Sequence, residues 1–159
     1  MIHKKISVKI GEHHPTAEIT TYMIGNSEEL YDGRLRPLII ICPGGGYEMT
    51  SDREAEGIAL KFMAMGYHAA VLRYSVKPAV YPTALLQLAA TVKYFRENSD
   101  KYYIDADKII ICGFSAGGHL VASYGNSWNK AQFTNNRANG NEVCRPNAQI
   151  LCYPVISSG

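Results

Sequence analysis

The segment Gly113-Phe114-Ser115-Ala116-Gly117 has the spacing G-x-S-x-G and follows directly on the apolar run from Lys108 to Cys112. That context suits a serine nucleophile. A sharp strand-to-helix turn lifts the Ser115 hydroxyl above a sheet, and the small residues two before and two after let strand and helix approach. The helix starting behind the serine presents free N–H groups and the positive end of its dipole. A second signal is Gly44-Gly45-Gly46, straight after Leu38-Ile39-Ile40-Ile41-Cys42. Consecutive glycines let backbone N–H groups point into a pocket with no side chain in the way. Acyl transfer to serine passes through a tetrahedral oxyanion, which needs donors where its charge develops. The N–H groups of Gly45 and Gly46, with that of Ala116, make the expected oxyanion hole. Tyr47 follows the glycines and is the aromatic residue expected in a substrate pocket. Phosphate binding is the competing use of a glycine loop. No Lys-Ser/Thr follows as a Walker A loop requires, and no G-x-G-x-x-G opens a helix there.

These residues need a scaffold of alternating strands and helices. Lys4 to Ile10 alternates polar and apolar, as a half-exposed strand should, and Ala17 to Ile24 is its rougher partner in an antiparallel edge pair. The runs 38–42, 69–72 and 108–112 are expected as buried strands of a parallel sheet, and 149–153 as its last strand, closed by Pro154. A helix starts near Ser51 or Asp52, carries Ala55, Ile58, Ala59, Phe62 and Met63 at helical spacing, and stops at Gly66. Another opens near Pro82 with a stripe of Leu85, Leu88, Ala89, Val92 and Phe95, and a third spans Ala116 to Tyr124. Asn126 to Asn147 holds seven asparagines and reads as a long loop. Right-handed crossovers then give an α/β fold with helices on both faces.

Composition narrows the function classes. The chain has 159 residues, 47% apolar and 19% charged, enough for one domain. A net charge of +2, evenly spread, argues against nucleic acid or an anionic membrane as partner. No window approaches the roughly 20 apolar residues of a membrane span, and no signal peptide is read at the N-terminus. Cys42, Cys112, Cys144 and Cys152 form no CxxC pair. They are expected to be buried, reduced thiols in a cytoplasmic protein. His13-His14 has no carboxylate or cysteine cluster beside it, so no metal is expected.

The combination of strand–PGGGY, GYHAAVLRYSV and strand–GFSAGGHL resembles the α/β-hydrolase fold, and more narrowly its esterase/lipase group with an HGGG-type oxyanion loop, including acetyl esterases and acetyl-xylan esterase-like enzymes. The motif histidine is Pro43 here. The resemblance implies a serine esterase acting through an acyl-enzyme on short-chain, above all acetyl, esters, with acetylated sugars among the substrates and no cofactor. It implies Ser115 as nucleophile. It also implies a triad order of serine, acid, histidine, with the last two on loops after the final strands. The sequence ends 44 residues after Ser115, near the sixth strand. The reading is therefore one α/β-hydrolase domain over 1–159 with its last strands and its triad acid and histidine elsewhere. An open apolar edge invites pairing, so the expectation is either a fragment of a longer gene product or a chain completed by a second polypeptide, with a second copy of the chain as the other expected partner.

The chain's own histidines fit the base poorly. His119 lies one helical turn from Ser115 and reads as a packed or helix-supporting residue. His68 starts a strand at the far end of the sheet, and His3, His13 and His14 belong to the edge hairpin. Asp105 and Asp107 read as turn residues. Glu142 is an acid with no base to orient. Arg53 and Glu54 read as a solvated helix start. Two further readings stay open: a peptidase of the prolyl-oligopeptidase type, and a non-catalytic hydrolase-like binding module.

Overall fold

Leu38, Ile40 and Cys42 enter one hydrophobic core, while Ile39 and Ile41 enter another. A strand buried on both faces behaves in this way, and it places this run at the centre of a sheet. The computed structural model describes residues 1–131 and 142–157. Its elements are β1 (Lys5–Val8), β2 (Ala17–Tyr22), α1 (Glu28–Tyr31), β3 (Arg36–Cys42), a 3-10 turn (Asp52–Glu54), α2 (Glu56–Ala64) and β4 (His68–Arg73). They continue with α3 (Thr83–Glu97), α4 (Ser99–Tyr102), β5 (Ile104–Phe114), α5 (Ala116–Gly125), a second 3-10 turn (Glu142–Cys144) and β6 (Ala148–Cys152). The sheet order is β1-β2-β4-β3-β5-β6. The last four of these strands run parallel, and β1 and β2 add an antiparallel pair at one edge. Leu88, Val92 and Phe95 of α3 pack with Leu120 and Val121 of α5 on one face, and Ala59 of α2 packs on the other. This is an α/β-hydrolase sheet, mostly parallel, with helices on both faces.

Several boundaries differ from the sequence expectation. Asp105 and Asp107 lie within β5 and not in a turn. The register between β3 and β5 shifts between Arg36 and Leu38, which lets this polar stretch stay in the strand. There Asp105 pairs with Lys108 at 2.9 Å and accepts from the Asp107 N–H. Ser51 does cap a turn, accepting from the Arg53 N–H, but Ala55 at φ −118°, ψ −103° breaks the helix and α2 starts at Glu56. Pro82 is the residue before α3 and not its first turn. The asparagine-rich loop lies partly outside the described residues. β6 ends the sheet on its side, with Ile150 and Leu151 more than a third exposed.

His68, at the start of β4, is fully buried at the end of the sheet opposite Ser115. Its Nδ1 accepts from the Ile24 N–H at 3.2 Å, and its Nε2–H donates to the Tyr103 carbonyl at 3.2 Å. Burial above all, with help from the Arg36 charge, pushes its imidazole down to about 4, against the pull of the Tyr103 and Tyr102 carbonyls. The unfolded imidazole takes up its proton near 6.5 and the folded one only near 4. This stability is therefore complete above 6.5 and is lost on acidification between the two values. The loss amounts to about 3 kcal/mol. Urea unfolding of the intact protein across that range should show it. His68→Gln, which keeps an acceptor and a donor but cannot titrate, should flatten the dependence; an unchanged slope would assign the acid sensitivity elsewhere.

Candidate active site

Ser115 joins β5 to α5 with φ 52° and ψ −115°. Such a backbone costs about 1–3 kcal/mol, so its surroundings must hold it. The end of β6 does so from both sides. The Ser115 N–H donates to the Cys152 carbonyl at 3.0 Å, and the Val155 N–H donates to the Ser115 carbonyl at 3.2 Å. The glycines of the motif have a steric reason. A Cβ on Gly113 would overlap the Gly117 backbone, and one on Gly117 would overlap the Cys42 carbonyl. Strand, turn and helix therefore touch main chain to main chain.

The glycine loop lies directly against this turn. A Cβ on Gly44 would stand 2.7 Å from the Phe114 carbonyl oxygen and 3.0 Å from the Ser115 Cβ. Gly45, Gly46 and Tyr47 all have positive φ, at 141°, 65° and 58°. The loop folds back on itself: the Gly45 carbonyl accepts from the N–H groups of Glu48 and Met49, and the Gly44 carbonyl from that of Ser51. Among the described residues the N–H groups of Gly45 and Gly46 find no acceptor. The Ala116 N–H, at the first position of α5, has none within the helix. Three donors without a partner in the loop or helix thus flank the Ser115 turn.

Glu54 corrects the sequence reading. It is no solvated helix start: Oε2 accepts from the Gly44 N–H at 2.7 Å and Oε1 from the Tyr153 hydroxyl at 2.5 Å. One carboxylate thereby ties the glycine loop to the segment after β6. The carboxylate's acceptance of that hydrogen bond pushes the Tyr153 phenol up to about 12. Tyr74, buried, donates to the Pro43 carbonyl at 2.5 Å. Arg73 holds the loop's exit through the Thr50 carbonyl at 2.7 Å and Asp52 at 2.6 Å. No periodicity in the sequence marks these three supports.

The Ser115 hydroxyl hydrogen-bonds to no described residue, and no histidine reaches it. His3 pairs with the Thr21 carbonyl, His14 with Thr83, His68 with Ile24 and Tyr103, and His13 is exposed. His119, expected as a packed or helix-supporting residue, is exposed rather than packed: its Nδ1 meets the Tyr47 hydroxyl at 2.8 Å, and its Nε2 lies 3.5 Å from the Ser123 hydroxyl one turn on along α5. Two buried thiols, Cys42 and Cys112, do not compete as nucleophiles. Burial pushes Cys42 up strongly and Cys112 to about 12, which leaves both protonated. None of the four cysteines is in a disulfide; Cys42, Cys112 and Cys144 are buried and Cys152 is half-buried. Among the described residues no three His, Cys, Asp or Glu side chains gather as metal ligands, and no helix is long and apolar enough to cross a membrane.

Tyr47 and His119 also form the wall of a cleft of about 510 Å³ whose other side is Val80, Tyr81, Pro82 and Leu85. The cleft joins the residue after the glycines to the helix after the serine. A substrate group there would lie beside the nucleophile turn.

Comparison with known proteins places this geometry. Residues 29–153 match the BD-FAE family. Endo-1,4-beta-xylanase B of Butyrivibrio fibrisolvens is 34% identical over 128 residues, covering 78% of this chain and 20% of that protein. The carboxylesterase Cest-2923 of Lactobacillus plantarum WCFS1 superposes with a TM-score of 0.86 at 34% identity, over 99% of this chain and 57% of that one. The acetyl ester-xyloside bifunctional hydrolase of Caldicellulosiruptor lactoaceticus gives 0.78 at 30% identity, over 96% and 58%. The chain thus spans less than two thirds of the length of each of these proteins. With its sheet, its strained serine turn and its family match in agreement, the chain belongs to the BD-FAE family of α/β-hydrolases.

Proposed function

We propose that the protein is a serine carboxylic-ester hydrolase acting on short-chain, above all acetyl, esters, with acetylated sugars among its substrates. The observation that carries this reading is the strained Ser115 turn set directly against a glycine loop with free N–H donors. In this reading the Ser115 oxygen attacks the ester carbonyl and its proton passes to a base. The carbonyl oxygen becomes an oxyanion held by the N–H groups of Gly45, Gly46 and Ala116. The tetrahedral intermediate expels the alcohol, which takes the proton, and leaves an acyl-serine that water then hydrolyses. No histidine of the chain reaches Ser115, so the base and its acid come from sequence outside these residues or from a second polypeptide. The open side of β6 is where the elements carrying them would join the sheet. The acyl and sugar preference is supported by the acetyl ester and xyloside named for one structural neighbour. The test is labelling of the intact protein with diethyl p-nitrophenyl phosphate followed by peptide mapping. A diethylphosphoryl adduct on Ser115 is expected. Failure to label it, or a label elsewhere, would overturn the assignment and favour a non-catalytic binding module.

A further inference from the structure

Tyr47 and His119 are 72 residues apart in sequence, yet the Tyr47 hydroxyl and His119 Nδ1 are 2.8 Å apart. Their rings meet edge to face, with centroids 5.8 Å apart and planes at 84°. Each partner is anchored to one half of the expected oxyanion hole. Tyr47 directly follows Gly46, its carbonyl accepts from the Lys77 N–H at 2.8 Å, and its ring packs edge-on against Tyr74. His119 stands three residues after Ala116 on α5, and its backbone N–H donates to the Ser115 carbonyl at 3.0 Å. Two of the hole's donors therefore ride on the loop that Tyr47 closes, and the third rides on the helix that carries His119. The width of the hole is the gap between loop and helix, and the Tyr47–His119 bond spans that same gap.

We propose that Tyr47 and His119 form a strut that sets the width of the oxyanion hole, a positioning pair acting through Gly45, Gly46 and Ala116. The proposal rests on the serine-hydrolase reading above. Burial first of all pushes the Tyr47 phenol up to about 12, so the hydroxyl keeps its proton and can donate it to an unprotonated His119 Nδ1. A strut has a kinetic signature that a cleft wall lacks. The oxyanion exists only after Ser115 has attacked, so a hole of the wrong width weakens the transition state and spares the bound ester. Loss of a cleft contact weakens both and appears in KM.

The experiment uses the intact protein, a short-chain acyl ester, and a trifluoromethyl ketone of matching chain length, whose adduct with a serine places an oxyanion in the hole. Tyr47→Phe removes one oxygen, and His119→Leu removes the acceptor. Each should lower kcat about tenfold and weaken the ketone by the same factor, with KM within about twofold. The double variant should be no worse than either single one, because both break one bond. His119→Asn, which restores an acceptor near the Nδ1 position, should recover most of the lost kcat. Wild-type kcat and ketone affinity in Tyr47→Phe, or losses that multiply in the double variant, would overturn the strut. Ser115→Ala separates the two ideas. If it is inactive while Tyr47→Phe is unimpaired, only the strut falls; if it keeps full turnover, the serine reading falls and the strut with it.

Discussion

Replacing Ser115 by alanine is expected to lower kcat for ester hydrolysis by the intact protein about 10⁴-fold or more, with KM little changed. In the proposed mechanism the oxygen of Ser115 forms the acyl bond, and the oxyanion is held by backbone N–H groups that the substitution leaves in place. Of the thiols, Cys42 and Cys112 are buried and kept protonated by that burial. The oxyanion donors remain in the variant, which leaves a residual rate above that in water. Stability should respond differently from activity. Alanine keeps a Cβ at φ 52° and hence keeps the strain, so the melting temperature should stay near that of the parent. Ser115→Gly relieves the strain and should gain about 1 kcal/mol while being equally inactive. A glycine variant no more stable than the alanine one would show that the turn carries little strain. An alanine variant that still turns over ester at the parental rate would remove Ser115 from the mechanism.

The parts of this site legible in the sequence are those fixed by backbone geometry over a few residues. G-x-S-x-G was readable because Gly113 and Gly117 are dictated by main-chain contact, a constraint that leaves only one residue type. The strand 38–42 was readable because a run without polar breaks must be buried on both faces. What stayed hidden joins distant side chains through pairwise contacts. Glu54 links Gly44 to Tyr153, and Tyr47 links to His119, yet neither pairing leaves a period or a motif along the chain. Glu54 ends a short turn just before α2 and looks like any acid at a helix start. His119, one helical turn from Ser115, reads as a packed or helix-supporting residue, and only the fold shows that its position on α5 lines the cleft beside Tyr47. Asp105 and Asp107 misled in the opposite sense. Two acids two residues apart suggest a turn, and only the register shift against β3 keeps them in a strand.

Gly117→Ala should be the most damaging single-methyl change near the site. An added Cβ would overlap the Cys42 carbonyl and stand 2.6 Å from the Pro43 carbonyl oxygen. Both obstacles are main chain, so no rotamer change clears them. Either α5 must move out or the end of β3 must move away. Overpacking against backbone of this kind costs roughly 3 kcal/mol, which for a domain of this size lowers the melting temperature by about 10 °C. The activity loss should exceed what stability alone predicts. The end of β3 leads into the glycine loop, and α5 carries the Ala116 N–H, so the methyl acts directly on the relation between the two sets of donors proposed to hold the oxyanion. A displacement near 1 Å there is worth about 100-fold in kcat. Gly57→Ala provides the contrast. That glycine lies in α2, nothing stands within 4 Å of an added Cβ, and it takes no part in the site. Alanine there should stabilise by about 0.5–1 kcal/mol through helix propensity and leave turnover unchanged. Thermal melts and kcat of the two variants side by side decide the matter. A Gly117→Ala protein as stable and active as the parent would mean that helix and strand have room to spare, and that the glycine serves some purpose other than their close approach.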